Sequence, residues 1–254
     1  MIKGNYHTHT KRCKHAFGSD EDYVIAAIKA GFSELAFTDH APWILRDDEH
    51  DRIRMNMSEM RDYVDSIRSL KEKYKDQIKI LVGLEAEYFE SRMEGLKSLV
   101  QTHHLDLLVL GNHFHIKDSN DTYYGNYKDL INLYDHYLED STKAMRTGMY
   151  KIFAHPDLFF KTVNILNERT KELIHSLCDV ALETNTIMEY NLGGKRYRDY
   201  YPNEPFWKIV AQRGCTVIVG VDAHDPKHLL DIEMYNKAID FLKSLNAKLI
   251  TTLD

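Results

Sequence analysis

The chain predicts an α/β barrel, a TIM-barrel-like ring of parallel strands joined by helices. Three observations carry this. Short runs rich in Val, Ile and Leu alternate with longer amphipathic segments, the pattern of repeated strand–helix units. Several of these runs lack polar alternation, as parallel strands covered on both faces should. Metal-type side chains stand at the ends of successive runs, and a barrel gathers such ends at one face. A barrel of this kind takes about 250 residues, so the 254 residues are read as a single domain, 1–254.

The elements follow in order. Ile2–Thr8 is the first candidate strand. Ser19 then caps a helix with an acidic first turn, Asp20 to Asp22, and Gly31 closes it. Glu34–Thr38 is the second strand. Ser58 to Tyr74 is a long amphipathic helix with Met60, Tyr63, Ile67 and Leu70 on one stripe for the core. Strands at Ile78–Glu85, Leu107–Leu110, Lys151–Ala154, Ile187–Asn191 and Thr216–Val221 alternate with helices at Glu90–His104, Leu130–Arg146, Glu168 to about Asn185, Pro205–Gln212 and His228–Ser244. Lys248–Leu253 is a short terminal candidate for an eighth strand. No Pro/Gly-rich linker, repeat or low-complexity stretch divides the chain.

Composition excludes several classes. A net charge of −6 and a pI near 6.2 provide no basic field for nucleic acid, and the acidic residues form no tail. Cys13, Cys178 and Cys215 are widely spaced without a C-x-x-C, so neither a thiolate zinc site nor a disulfide framework is expected. Cys178 and Cys215 read as small buried hydrophobes; Cys13, between His9 and His15, lies in a metal-type neighbourhood. The start MIKGNYHTHT has no signal-peptide core, and no apolar run approaches about 18 residues, so a cytoplasmic protein free of membrane is expected. Phosphate-loop, dinucleotide and G-x-S-x-G fingerprints are all missing.

Nine side chains form the metal-type set: His7, His9, His15, His40, Glu85, His113, His155, Asp222 and His224. In extended chain, residues i and i+2 point the same way, so His7 and His9 can reach one cation; Asp222 and His224 repeat that spacing. Imidazole with carboxylate suits zinc, manganese or iron. A carboxylate at Glu85 can bridge two ions. Seven neutral rings and two carboxylates leave such a centre strongly cationic, able to attract phosphate oxygens and to bring the pKa of bound water toward about 7. His50, His103, His104, His136, His175 and His228 read as surface or structural groups, whereas His115, two residues past His113, is open as a ligand or substrate contact.

The motifs H-x-H, the later His15, T-D-H at Thr38–His40, G-L-E at Gly83–Glu85, G-N-H at Gly111–His113, A-H-P-D at Ala154–Asp157 and D-A-H at Asp222–His224 together resemble the polymerase and histidinol phosphatase (PHP) superfamily. The resemblance spans nearly the whole chain. It implies a distorted seven-stranded β/α barrel with up to three metals: His7, His9, Glu85 and Asp222 on the first, Glu85, His113 and His155 on the second, His15, His40 and His224 on the third. Thr38 to Pro42, Arg54-Met55, Ile80 to Tyr88, Asp157-Leu158, Met188 to Asn191 and Gly194 to Arg196 are most similar to the histidinol-phosphatase branch. There, Arg196 matches a phosphate-binding Arg. Gly111-Asn-His113 and Gly220-Val-Asp222 depart from the commoner forms, and Tyr197 to Tyr201 is unusual.

The resemblance implies hydrolysis of L-histidinol phosphate, a small-molecule phosphomonoester. Glu85, Asp222, His224 and Arg196 are the expected catalytic set, with Arg196, His40 and Asp39 toward substrate. The proton for the leaving alkoxide could come from His224, Asp39 or a metal-bound water. Glu87 is a candidate for the substrate ammonium or for a place behind the ligands. Alternatives are phosphoesterases acting on a nucleotide, sugar phosphate or phosphotyrosine, a non-catalytic metal-binding domain, and an exonuclease, which the acidic balance disfavours.

Overall fold

The computed structural model describes residues 4–43, 53–117, 120–163, 165–197 and 200–253. Of the sequence-predicted features, Ile2 and Lys3 of the first strand, His50, and Arg198 and Asp199 of the Tyr197 to Tyr201 stretch lie outside them. Ten strands and nine α-helices are present among the described residues. The strands are β1 (Gly4–Asn5), β2 (Glu34–His40), β3 (Lys79–Ala86), β4 (Leu107–Leu110), β5 (Phe114–Lys117), β6 (Asn120–Tyr123), β7 (Ile152–Phe153), β8 (Ile187–Asn191), β9 (Thr216–Gly220) and β10 (Lys248–Leu249). The helices are α1 (Asp20–Ala30), α2 (Met60–Lys73), α3 (Met93–Thr102), α4 (Leu130–Arg146), α5 (Phe160–Val163), α6 (Glu168–Thr184), α7 (Leu192–Arg196), α8 (Glu204–Arg213) and α9 (Ile232–Ser244).

Eight strands form one parallel sheet in the order β1-β2-β3-β4-β7-β8-β9-β10. The sheet is curled and TIM-barrel-like, but it counts eight strands rather than the expected seven. The eighth is the short terminal one, which pairs with only the first two residues of β9. Beyond β9 the chain runs along β1 instead: Thr8 pairs with Ala223, and His9 N donates to Ala223 O at 2.9 Å. At the other end, Leu253 N donates to Tyr6 Oη at 2.9 Å. The first strand and the continuation of β9 thus meet edge to edge at the end where the metal-type residues lie. β5 and β6 form a separate antiparallel hairpin that sequence periodicity did not reveal.

The helices begin and stop where local chemistry dictates. Ser19 and Asp22 form a reciprocal capping box at α1, and Gly31 ends it at φ 83°. α2 and α3 start later than expected because Met57–Glu59 and Glu90–Arg92 are 3-10 turns, and Pro226–Leu230 does the same before α9.

Two cores follow from the pleat. Outward-facing Leu35, Phe37, Leu108, Leu110, Phe153, Met188, Val217 and Val219 pack under the helices. Inward-facing Tyr6, Ala36, Leu107, Val109, Ile152, Ala154, Ile187 and Ile218 fill the space inside the curl. The inward rows continue at a period of two: Ala36 leads to Thr38 and His40, Leu81 to Gly83 and Glu85, Ile187 to Glu189 and Asn191, Ile218 to Gly220 and Asp222. The same pleat that plugs the interior with aliphatic groups delivers polar ones one layer higher.

Candidate metal centre

All nine metal-type residues converge at the C-terminal ends of the strands, and subsets of them place ligand atoms within 4.8 Å of one another. Glu85 is at the middle and faces two ways. Its Oε1 lies 3.0 Å from His155 Nε2 and 3.3 Å from His113 Nε2. Its Oε2 lies 3.4 Å from His7 Nε2, 3.6 Å from His9 Nε2 and 3.0 Å from His40 Nδ1. Asp222 Oδ1 closes the second side, 3.2 Å from His9 Nε2 and 3.4 Å from His224 Nδ1. A third group gathers around His224, whose ring stacks on His9 with centroids 4.0 Å apart and lies 4.6 Å from His15. His9, His40 and His224 form one metal-capable trio there, and Cys13, His15 and His224 another.

The residues fit divalent cations on the evidence of their own hydrogen bonding. Glu85 Oε2, Asp222 Oδ1 and His224 Nε2 are buried without a hydrogen-bond partner. Stranding three such atoms in one place costs roughly 1–3 kcal/mol each unless something else binds them. The rings show the same intent. His7 Nδ1 is held by both Glu189 oxygens at 2.9 and 3.0 Å, which places a proton there and leaves Nε2 as the atom facing the centre. His113 Nδ1 is likewise held by Glu87 Oε1 at 3.0 Å. Burial, with the neighbouring His9, pushes His40 down to about 3, so it is a neutral ring near pH 7. Two of the metal-type residues, His155 at φ 33° and Asp222 at φ 51°, sit in the left-handed region, where non-glycine backbone is strained.

Behind the His7 and His113 rings stand Glu189 and Glu87. Glu189 also accepts from Asn191 Nδ2 at 2.7 Å, and the space it occupies exists because position 220 is glycine: a Cβ there would lie 1.8 Å from Glu189 Oε1. Glu87 does not reach toward substrate. It is buried and clamped by Arg54 Nη1 and Nη2 at 2.9 and 2.8 Å. Burial works to raise its carboxyl, but Arg54 and His113 prevail and hold it down at about 2.

Asp39, expected toward substrate, is a correction. It is fully buried, accepts from Thr10 N at 3.2 Å, from the Thr10 hydroxyl and from His40 N at 2.8 Å, and stands behind His9 at 3.5 Å. Its geometry fixes the ligand-bearing turns. His115 is also elsewhere: it bonds Asp140 Oδ2 at 2.9 Å and stacks on His136 at 4.0 Å. Arg196, at the end of α7, donates to Val221 O at 3.3 Å through Nη1 and leaves Nη2 buried without a partner. Glu189 was missed as a site residue, although a carboxylate on the inward row of an otherwise apolar strand was a readable signal.

A cavity of about 220 Å³ opens over this centre, lined by His9, His15, His40, Glu85, His113, His155, Asp222 and His224 below and by Tyr123, Leu158, Gly193, Tyr197 and Tyr201 above. A larger cavity, about 460 Å³, lies near the opposite ends of the strands around Lys79, Asp106, Gly148 and Leu253. It has no histidine, and its one carboxylate is engaged by Val82 N at 2.9 Å.

The PHP domain profile matches residues 5–192, which takes in seven of the nine metal-type side chains. The chain belongs to the PHP domain family. Among its PHP relatives, a protein of Deinococcus radiodurans named probable histidinol-phosphatase is 27% identical over 234 residues, covering 87% of this chain and 85% of that protein. The histidinol-phosphatase of Bacillus subtilis is 27% identical over 260 residues, covering 88% and 94%. The crystal structure of histidinol phosphate phosphatase from Lactococcus lactis, complexed with zinc, L-histidinol and phosphate, superposes with a TM-score of 0.75 at 18% identity, covering 98% of this chain and 95% of that one. At that identity the likeness is one of fold. No helix among the described residues is long and apolar enough to cross a membrane.

Proposed function

We propose that this PHP protein is a metal-dependent phosphomonoesterase that hydrolyses L-histidinol phosphate to L-histidinol and phosphate in histidine biosynthesis. The single observation carrying the reaction class is the two-sided Glu85, flanked on one side by His113 and His155 and on the other by His7, His9 and Asp222. The substrate is supported by relatives of nearly equal length named histidinol-phosphatase and by the histidinol and phosphate bound in the Lactococcus lactis neighbour.

His7, His9, Glu85 and Asp222 would hold one ion, Glu85, His113 and His155 a second, and His15, His40 and His224 a third. The relative crystallised with zinc supports that metal, and the nitrogen-rich donor set suits manganese or iron as well. Bound there, divalent ions supply Lewis-acid polarisation of phosphoryl oxygens and a nucleophile at neutral pH. The chain's own residues do the rest. Glu189 and Glu87 keep protons at His7 Nδ1 and His113 Nδ1, so both rings face the centre as lone-pair donors. Arg196 brings a permanent cation beside Asp222, and its partnerless Nη2 is the atom offered to a phosphate oxygen. Asp39, enclosed by Thr10 and His40, is in no position to deliver a proton to the leaving alkoxide. In this reading the chain acts as one domain in the cytoplasm on a diffusible substrate, without nucleic acid or membrane.

Steady-state kinetics on a phosphomonoester panel test the substrate. L-histidinol phosphate is expected among the best by kcat/KM; if it is not, the substrate assignment fails while the phosphoesterase reading stands. Asp222→Ala and His7→Ala are expected to abolish turnover and metal loading in a folded protein. Unchanged hydrolysis in either variant would remove the site from consideration.

A further inference from the structure

The floor of the 220 Å³ cavity is made of metal-type residues, but its upper wall is of different chemistry. Tyr123 enters from the β5–β6 hairpin, Tyr197 and Tyr201 from the segment after α7, and Leu158 from the turn after β7. Two separate parts of the chain thus place phenol rings around one opening, and a third adds Leu158. Among the described lining residues the only carboxylates are Glu85 and Asp222, and both belong to the floor. The one further acid that sequence reasoning offered to a substrate ammonium, Glu87, is locked to Arg54. Among the described residues of the upper wall no charged side chain lines the cavity, and aromatic faces are what these residues present.

Those faces are held in place. Tyr201 lies over His155, with ring centroids 5.8 Å apart and planes tilted by 59°, and is only 8% exposed. It can approach because position 194 is glycine: a Cβ there would stand 2.4 Å from Tyr201 Cδ2. The neighbouring Gly193 does the same for the floor, since its Cβ would stand 2.4 Å from Asp222 Oδ2. Tyr123 packs on Phe114 at 5.5 Å and already carries a cation, Lys161 Nζ, 5.5 Å from its ring centroid. A second full positive charge beside that ring is disfavoured, whereas a neutral ring is not. Tyr197 is 60% exposed and forms the outer edge. The volume, below the usual range of about 300–1,000 Å³ for ligand pockets, limits what enters to a small molecule.

We infer that Tyr123, Tyr197 and Tyr201 form an aromatic collar that selects phosphomonoesters whose leaving group carries a flat ring, over ringless alkyl phosphates. The inference rests on the phosphomonoesterase reading and names how its substrates are chosen. These tyrosines act as specificity residues: they contact the leaving group and not the phosphoryl centre.

The test is the ratio of kcat/KM for ring-bearing esters, L-histidinol phosphate and phenyl phosphate, to that for ethanolamine phosphate. It is measured on the metal-loaded wild type and on Tyr197→Ala, Tyr201→Leu and Tyr201→Phe. Tyr197→Ala truncates an exposed side chain, so folding is not at stake. The ratio is expected to fall about three- to tenfold in Tyr197→Ala and Tyr201→Leu, the scale of one aromatic pair, and to be kept in Tyr201→Phe. An unchanged ratio in both truncations overturns the collar, as does a Phe variant as impaired as the Leu variant, or a wild type that prefers ethanolamine phosphate. A wild type that hydrolyses phenyl phosphate but not L-histidinol phosphate refutes the histidinol reading and leaves the collar to be judged on the phenyl ratio. A metal-loaded wild type that hydrolyses none of the three refutes both.

Discussion

Arg54→Met isolates the support behind the second half of the centre. Arg54 is fully buried and makes two bonds to Glu87, which in turn holds His113 Nδ1 at 3.0 Å. Glu87 stands at about 2 against an ordinary 4.5, a gap worth about 3 kcal/mol of folded-state stability. The group is 1% exposed, so solvent screening removes little of this. The sign is that of a depressed carboxyl: the stabilisation is complete above about pH 4.5 and is lost as pH falls through about 2. Removing the guanidinium leaves a buried carboxylate without its main partner, which costs about 3–5 kcal/mol. The double variant Arg54→Met/Glu87→Leu removes both charges and should recover most of that loss. It cannot recover the His113 tautomer, so metal affinity is expected to stay about 10- to 100-fold weakened. Urea denaturation of metal-free protein reads the first quantity, and titration with zinc reads the second. A single variant within about 1 kcal/mol of wild type refutes the energetic argument. A double variant that binds zinc like the wild type refutes the positioning role of Glu87.

Three further outcomes follow from the geometry. Gly220→Ala drives a methyl into Glu189 and should displace it from His7; zinc binding is expected to fall at least 10-fold, measured by competition with a chromogenic chelator. Asp157, buried under α8 with Oδ1 unpartnered, is raised by burial to about 6 against its bonds from Asn203 N and Trp207 Nε1. A raised carboxyl contributes stability that is complete below its unfolded value of 3.8 and lost as pH rises through about 6, here about 3 kcal/mol; Asp157→Asn should flatten that slope in denaturation series at pH 4 to 7. Chelation of bound metal should abolish phosphatase activity and lower Tm by several degrees, since an ion at 100 times its Kd stabilises by about 2.7 kcal/mol, and re-addition should restore both.

The convergence of the metal-type side chains was legible because the pleat writes it into the sequence. His40, Glu85 and Asp222 each extend an inward row by two positions, and H-x-H and D-A-H carry the same spacing. Seven of the nine helices were legible through caps and stripes, to within about four residues at their starts, whereas α5 and α7, only four and five residues long, went unread. The eighth strand was readable only as a short candidate, because it makes two residues' worth of pairing and depends on β9 for register. The β5–β6 hairpin was hidden because its strands are only four residues each, and the Phe114-His115-Ile116-Lys117 alternation is too short to stand out beside the long apolar runs. The support layer was the least visible. Nothing in the neighbourhood of Glu87 announces Arg54, 33 positions away, and Asp39 beside a ligand motif looked like a substrate contact when its environment makes it a brace.

The edge contact between Thr8 and Ala223 bears on the order in which this protein can assemble during synthesis. The H-x-H and D-A-H ligands come from opposite ends of the described chain, and Asn5 Oδ1 accepts from Val221 N across 216 positions. If His7, His9, Glu85 and Asp222 hold one ion as proposed, its coordination is complete only after Asp222 has been made. Closing a loop of that length costs entropy that rises only by about 0.6 kcal/mol per doubling, and a cation shared between its ends acts as a clasp on the closed form.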